Sequence, residues 1–149
     1  MLFRSMSLKD ELKPLLADVI SFYFRAHGHH WNVEGEDFSQ YHGLFEDIYS
    51  DAYSSIDPIA ENIRKLGDYA PFRLERFSEL ANIPDKSSDK NSPKAMAEDL
   101  LKCNEYLIEK LKAIFKTANK EDEQGIANFL AERIDMHQKW AWQLKASLK

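Results

Sequence analysis

The sequence predicts an all-α protein: four long helices in a bundle, with one long connection between the second and the third. Three observations carry this. Apolar residues recur at helical spacing along most of the chain. Glycine and proline number only five each and fall mostly between the periodic segments. One extended irregular stretch, residues 67–92, lies mid-chain and leaves two helices on either side of it.

The first helix is expected from about Ser7 to Val33. Ser7 is its N-cap, and Leu12, Leu16, Val19, Tyr23, Ala26 and His30 make one stripe. Pro14 leaves two alternatives: the helix starts late, with Pro14 in its first turn, or it kinks there. Glu34 to Asp37 is the turn. The second helix runs from about Phe38 to Leu66, and Gly67 is its C′ residue. Within the irregular stretch, Arg73 to Ala81 reads as a short helix, and the Ser/Asp/Lys-rich part as a surface loop. Ser92-Pro93 then reads as N-cap and N1 of a helix reaching about Ala118. The last long helix spans about Asp122 to Leu148. No hairpin signal and no internal repeat occurs.

The length, 149 residues, fits one domain over residues 1–149. Hydrophobic residues at 44% and charged residues at 30% argue against disorder. The formal charge of −5 gives no general attraction to nucleic acid or anionic membrane. No apolar run approaches the ~20 residues of a membrane span, and no signal-peptide core is seen. Cys103 is the sole cysteine, so no intrachain disulfide can form, and the cytoplasm is the default compartment.

Four of the five histidines lie between His27 and Tyr49. On the second helix His42 and Glu46 are four apart, as are Asp57 and Glu61. At about 100° per residue these four side chains share a stripe about 100° wide. Imidazole and carboxylate on one face suit a first-row divalent metal such as Fe²⁺, Mn²⁺ or Zn²⁺; a solvated polar face is the plainer reading. His42 and Asp57 are fifteen residues apart, roughly 22 Å along the axis. With metal–ligand bonds of about 2 Å, they cannot hold one ion within one chain. An antiparallel second copy across a two-fold axis could bring Asp57 and Glu61 opposite His42. The short turn returns His30 to the same neighbourhood. The Glu-x-x-His pairs of an intrachain di-iron bundle are absent.

"HHWNVEG", then "YHGLFED", then "IDPIAENIRKLGDYAP", resemble the core signature of the Dps mini-ferritins, the DNA-protection-during-starvation proteins. The resemblance covers nearly the whole chain, including the short helix and the C-terminal "HQKWAWQLKASL". It implies a ferritin-like four-helix bundle with a short extra helix in the crossover, assembled as a hollow dodecamer with tetrahedral symmetry. It also implies ferroxidase activity: Fe²⁺ oxidised, typically by hydrogen peroxide, at di-iron centres on two-fold interfaces, with ferric mineral stored inside. Carried over by position, His30, His42 and Glu46 are ligands from one chain and Asp57 and Glu61 from its partner, with Trp31 packed beside the site.

The sequence departs from the family pattern in several places. Glu46 stands where relatives more often have Asp. Pro58 falls inside the second helix and frees the Ser54 carbonyl, which Ser54 itself or a water could satisfy. Asn128 stands where many relatives have an Asp lining an iron-entry pore; Glu121, Asp122, Glu123 or Glu132 could supply that negative potential. Neither "MLFRSMSLKDELK" nor the C-terminal Lys145 and Lys149 makes a polybasic arm, so DNA binding is expected to be weak or absent. Asp47 and Asp51 could nucleate mineral or simply be solvated. His27, His29 and His137 read as surface or packing residues. Trp140 and Trp142 point to different faces, one core and one interface. Cys103 reads as a buried small hydrophobe. Two other functions compete: a nucleoid-binding structural protein, and a bundle that binds zinc or nothing at the same donors.

Overall fold

In the computed structural model, which describes residues 6–83 and 88–149, the elements are α1 (Leu8–Asn32), α2 (Phe38–Lys65), α3 (Leu74–Leu80), α4 (Pro93–Lys120) and α5 (Gln124–Ser147). There is no strand among the described residues. α1 packs along α2 and α4 along α5, and the two hairpins meet mainly through α1 against α4. The short α3 of the crossover lies on α1. This is the all-α, ferritin-like four-helix bundle with an extra short helix that the sequence predicts.

One continuous core joins the four long helices, with Phe22, Phe45, Leu12, Ile59, Leu100, Leu107 and Leu130 fully buried. Each such side chain contributes roughly 1.5–3 kcal/mol by leaving water. The predicted α1 stripe faces this core: Leu12, Leu16, Val19, Ala26 and His30 are buried.

The helix ends follow local chemistry. Ser92 Oγ accepts the Ala95 N–H at 3.1 Å, with Pro93 at N1, as expected of an N-cap. Gly67 takes φ +87°, its N–H reaches the Arg64 carbonyl, and the Asp68 N–H reaches the Ile63 carbonyl. That pair of bonds closes α2 in a Schellman motif. α4 ends the same way without glycine: Asp122 takes φ +58°, and Asp122 and Glu123 donate to the Asn119 and Ala118 carbonyls. Asp122 is therefore a C′ residue between helices, not the start of the last helix.

Two prolines sit inside helices. α1 begins at Leu8, so Pro14 lies in its second turn, and the late start is excluded. The Leu8 N–H is held from across the bundle by Glu121 Oε2 at 2.8 Å. Pro58 lies within α2. The Ser54 hydroxyl does not serve the carbonyl that Pro58 leaves free; it donates to the Asp51 carbonyl at 2.7 Å.

The crossover is fastened by a buried charge that the sequence did not advertise. Asp18 is fully buried on α1 and accepts the Asn82 and Ile83 N–H groups at 2.6 and 2.9 Å. Its other oxygen receives the Tyr106 hydroxyl and the Lys110 ammonium from α4. One carboxylate thus ties α1, α4 and the segment just after α3 together.

Candidate metal centre

The turn between α1 and α2 brings His30 and His42 face to face, ring centroids 3.7 Å apart and planes within 18°. His30 Nδ1 donates to the His42 carbonyl, and His42 Nδ1 donates to the His30 carbonyl, both at 2.8 Å. A carbonyl only accepts, so each Nδ1 carries the hydrogen and each Nε2 keeps its lone pair. Phe38 closes the other face of His42 at 4.7 Å. His30 is buried, and both Nδ1 hydrogens are engaged with backbone carbonyls.

Glu46 lies one turn beyond His42 and is exposed. Its Oε1 stands 3.9 Å from His30 Nε2. That is too long for a hydrogen bond but compatible with two bonds of about 2 Å to one ion. Asp57 and Glu61 are also exposed, further along the same unbroken helix. The helical rise keeps Asp57 roughly 22 Å from His42. Among the described residues of one chain, no group of three or more His, Cys, Asp or Glu side chains could hold a metal ion. One chain thus brings His30, His42 and Glu46 into one neighbourhood and holds Asp57 and Glu61 away from it.

Next to the pair, His27 stacks on Tyr49 at 3.8 Å and meets Trp31 at 4.3 Å. Trp31 is 62% exposed, and its ring contact is with His27. Burial, then the neighbouring His30, lowers the His27 pKa.

Asp51 requires a correction. It is neither a solvated residue nor a mineral nucleus. Arg133 of α5 grips it with two nitrogens at 2.8 Å, and Trp140 Nε1 donates to it at 2.8 Å. Burial by itself would raise the Asp51 carboxyl, but the Arg133 hydrogen bonds and charge, with Trp140, bring it below the ordinary value. Arg133 also reaches His137 Nε2 at 3.3 Å, and His137 Nδ1 donates to Asn104 Oδ1 at 2.7 Å. Burial first, then the Arg133 charge, lowers the His137 pKa to about 3, so that ring is neutral. Asp47 is exposed.

His29, the remaining one of the five histidines, is engaged within the fold. His29 is buried with Nε2 2.8 Å from Asp99, which also pairs with Arg25. Cys103 is buried, and Arg25 reaches its sulfur at 3.1 Å. Burial raises the thiol pKa. Trp140 is core, whereas Trp142 is exposed. Asn128, Glu132 and Asp122 are exposed, but Glu121 is engaged with Leu8 at the start of α1. Residues 1–5, part of the N-terminal segment weighed as a basic arm, lie outside the described residues. No described helix is long and apolar enough to cross a membrane.

The ferritin-like domain family matches residues 9–149. A DNA protection during starvation protein of Helicobacter pylori is 29% identical over 92% of this chain and 95% of its own. The chain belongs to the Dps family of ferritin-like proteins. The Vibrio cholerae Dps structure, described as a member of a broad superfamily of ferritin-like diiron-carboxylate proteins, superimposes with TM-score 0.90 at 27% identity. It is covered over 89% of its length by 95% of this chain. A low temperature-induced protein of Nostoc is 31% identical over 90% of this chain and 75% of its own. Membership makes iron handling the general class of function for this Dps protein.

Proposed function

We propose that this Dps protein is a ferroxidase and iron-storage mini-ferritin. It oxidises Fe²⁺ with hydrogen peroxide at centres shared between two copies of the chain and stores ferric mineral within a hollow dodecamer. The observation that carries the reading is the reciprocal His30–His42 pair. It presents two fixed Nε2 lone pairs beside Glu46 and lacks, in one chain, the remaining carboxylates. Asp57 and Glu61 of a second copy complete the set.

In this reading His30 and His42 bind Fe²⁺ through Nε2 without having to reorient, because the backbone carbonyls already hold their Nδ1 hydrogens. The carboxylates of Glu46, Asp57 and Glu61 favour the ferric product, which carries the higher charge, over the ferrous substrate. Two Fe²⁺ each give up one electron. Peroxide takes both, with two protons, and leaves as two waters. The imidazoles also suit zinc, which would compete for the same donors.

The test is anaerobic loading with Fe²⁺ followed by peroxide. A fast rise in ferric absorbance is expected from the native protein and none from the His30→Ala, His42→Ala double variant. An unchanged fast phase in that variant would remove the site assignment.

A further inference from the structure

Tyr23 precedes His27 by one turn on α1, and its hydroxyl lies 2.8 Å from His27 Nδ1. The His27 ring stacks on Tyr49 of α2 with planes within 10°. Tyr49 meets the candidate ligand His30 edge-on at 5.0 Å, and Tyr23 meets Tyr49 at 6.2 Å. The exposed Tyr53 lies 5.3 Å from Tyr23. These are the separations of touching aromatic rings. An unbroken path of rings therefore runs from the candidate iron site to Tyr23. The ferroxidase reading assigns Tyr23, His27 and Tyr49 no role.

Removing one electron from a phenol makes its proton strongly acidic. The oxidation is easy only where a base takes that proton in the same step. A tyrosine hydroxyl donates, and a neutral imidazole accepts through its unprotonated nitrogen. With Tyr23 donating to Nδ1, His27 carries its own hydrogen on Nε2 and has no lone pair left for a metal. Among the described residues Tyr23 is the tyrosine hydrogen-bonded to a histidine. Tyr49 and Tyr53, its neighbours in the cluster, have no such bond described.

We infer that the Tyr23–His27 pair is a proton-coupled one-electron donor that quenches oxidising radicals formed at the His30–His42 end of the path. This rests on the iron-oxidation reading, since Fe²⁺ that meets peroxide singly releases hydroxyl radical. The Tyr23 O–H bond breaks and its proton forms an N–H bond at His27 Nδ1. The electron passes through Tyr49 to the hydroxyl radical, which becomes hydroxide. A neutral phenoxyl radical and an imidazolium remain, so charge balances. A later Fe²⁺ returns an electron to the phenoxyl oxygen as the imidazolium returns its proton, leaving Fe³⁺ and the original pair.

Two parallel measurements test this on the full-length protein, with ferric absorbance followed alongside. In the first, Fe²⁺-loaded protein is mixed with peroxide, frozen and examined by electron paramagnetic resonance. A tyrosyl signal is expected that narrows with ring-deuterated tyrosine, vanishes in Tyr23→Phe and persists in Tyr53→Phe. In the second, metal-free protein is oxidised by a photo-oxidised ruthenium tris(bipyridine) complex. The same Tyr23 radical is expected, formed more slowly in His27→Phe, which keeps the ring stack but removes the base. Circular dichroism checks that each variant folds. A ferric rise with the radical on Tyr49, Trp31 or no residue overturns the inference and leaves the ferroxidase reading standing. The Tyr23 radical in the photochemical arm without any ferric rise overturns the ferroxidase reading and keeps the donor pair. Absence of the Tyr23 radical in the photochemical arm overturns the pair itself.

Discussion

His30 and His42 hold each other's tautomer: each ring donates its Nδ1 hydrogen to the backbone carbonyl of the other at 2.8 Å. Loss of either ring therefore frees a carbonyl and releases the surviving ring from its stack. Co²⁺ binding, followed by calorimetry, is expected to fall nearly as far in His30→Ala or His42→Ala as in the double variant. The coupling between the two substitutions should lie in the range of about 0.5–3 kcal/mol seen for residues in contact. Strictly additive losses would show that the two rings bind independently.

Asp18 provides a stability test remote from the metal centre. Removing one member of a buried ion pair costs about 3–5 kcal/mol, because the other charge is left without its partner. Asp18→Ala should lose stability of that order in urea unfolding, since it strands Lys110 and the Asn82 and Ile83 N–H groups. Adding Lys110→Met to Asp18→Asn should recover much of the loss, as no unpaired ammonium remains. A loss below about 1 kcal/mol in Asp18→Ala would mean that the crossover is fastened elsewhere.

The pH dependence of folding follows from His137 and Asp51. His137 has its folded pKa lowered to about 3, whereas an unfolded histidine titrates near ~6.5. Below ~6.5 the unfolded chain takes up a proton that the folded chain refuses, so stability falls as pH falls, by at most about 1.4 kcal/mol per pH unit. Asp51, also lowered in the fold, adds a second loss only as pH drops below the ordinary carboxylate value of ~3.9. Urea unfolding between pH 7 and pH 5 should show the first slope in the native protein and a flatter one in His137→Gln. Equal slopes would contradict a neutral buried His137.

Some of this was legible in the sequence and some could not have been. Gly67 and Ser92-Pro93 mark helix ends through their own backbone chemistry, so reading along the chain suffices. The His30, His42 and Glu46 grouping was also accessible, because one short turn and one helical repeat place all three. Asp51 was not. It sits four residues beyond Asp47 on the same helix, and only Arg133, which is 82 residues away, makes it a half-buried ion-pair partner. Asp18 and Glu121 were hidden for the same reason: their partners lie 64 to 113 residues distant. The Tyr23–His27 pair left a weak trace, a tyrosine and a histidine four apart, which the apolar stripe absorbed.

Nucleic acid provides a further check. The chain carries a net charge of −5. Phosphate binding needs clustered lysine or arginine and weakens steeply with salt. Plasmid DNA should therefore migrate unshifted with the assembled protein at about 0.15 M salt, without added divalent ions. Retardation under those conditions would reveal a basic surface in the assembly.

The central claim is that two copies of the chain share each iron site, and a mixing experiment tests it most directly. One variant carries His30→Ala and His42→Ala; the other carries Asp57→Ala and Glu61→Ala. Each alone should assemble and show no fast ferroxidase phase. Denatured together and reassembled in equal amounts, half the two-fold pairs are mixed. A mixed pair gathers all lesions in one site and none in the other, so about a quarter of native activity should return. With assembly confirmed by size and mixing by mass, recovery near that fraction supports the shared site. No recovery at all would contradict it, because a site built within one chain is broken in every subunit.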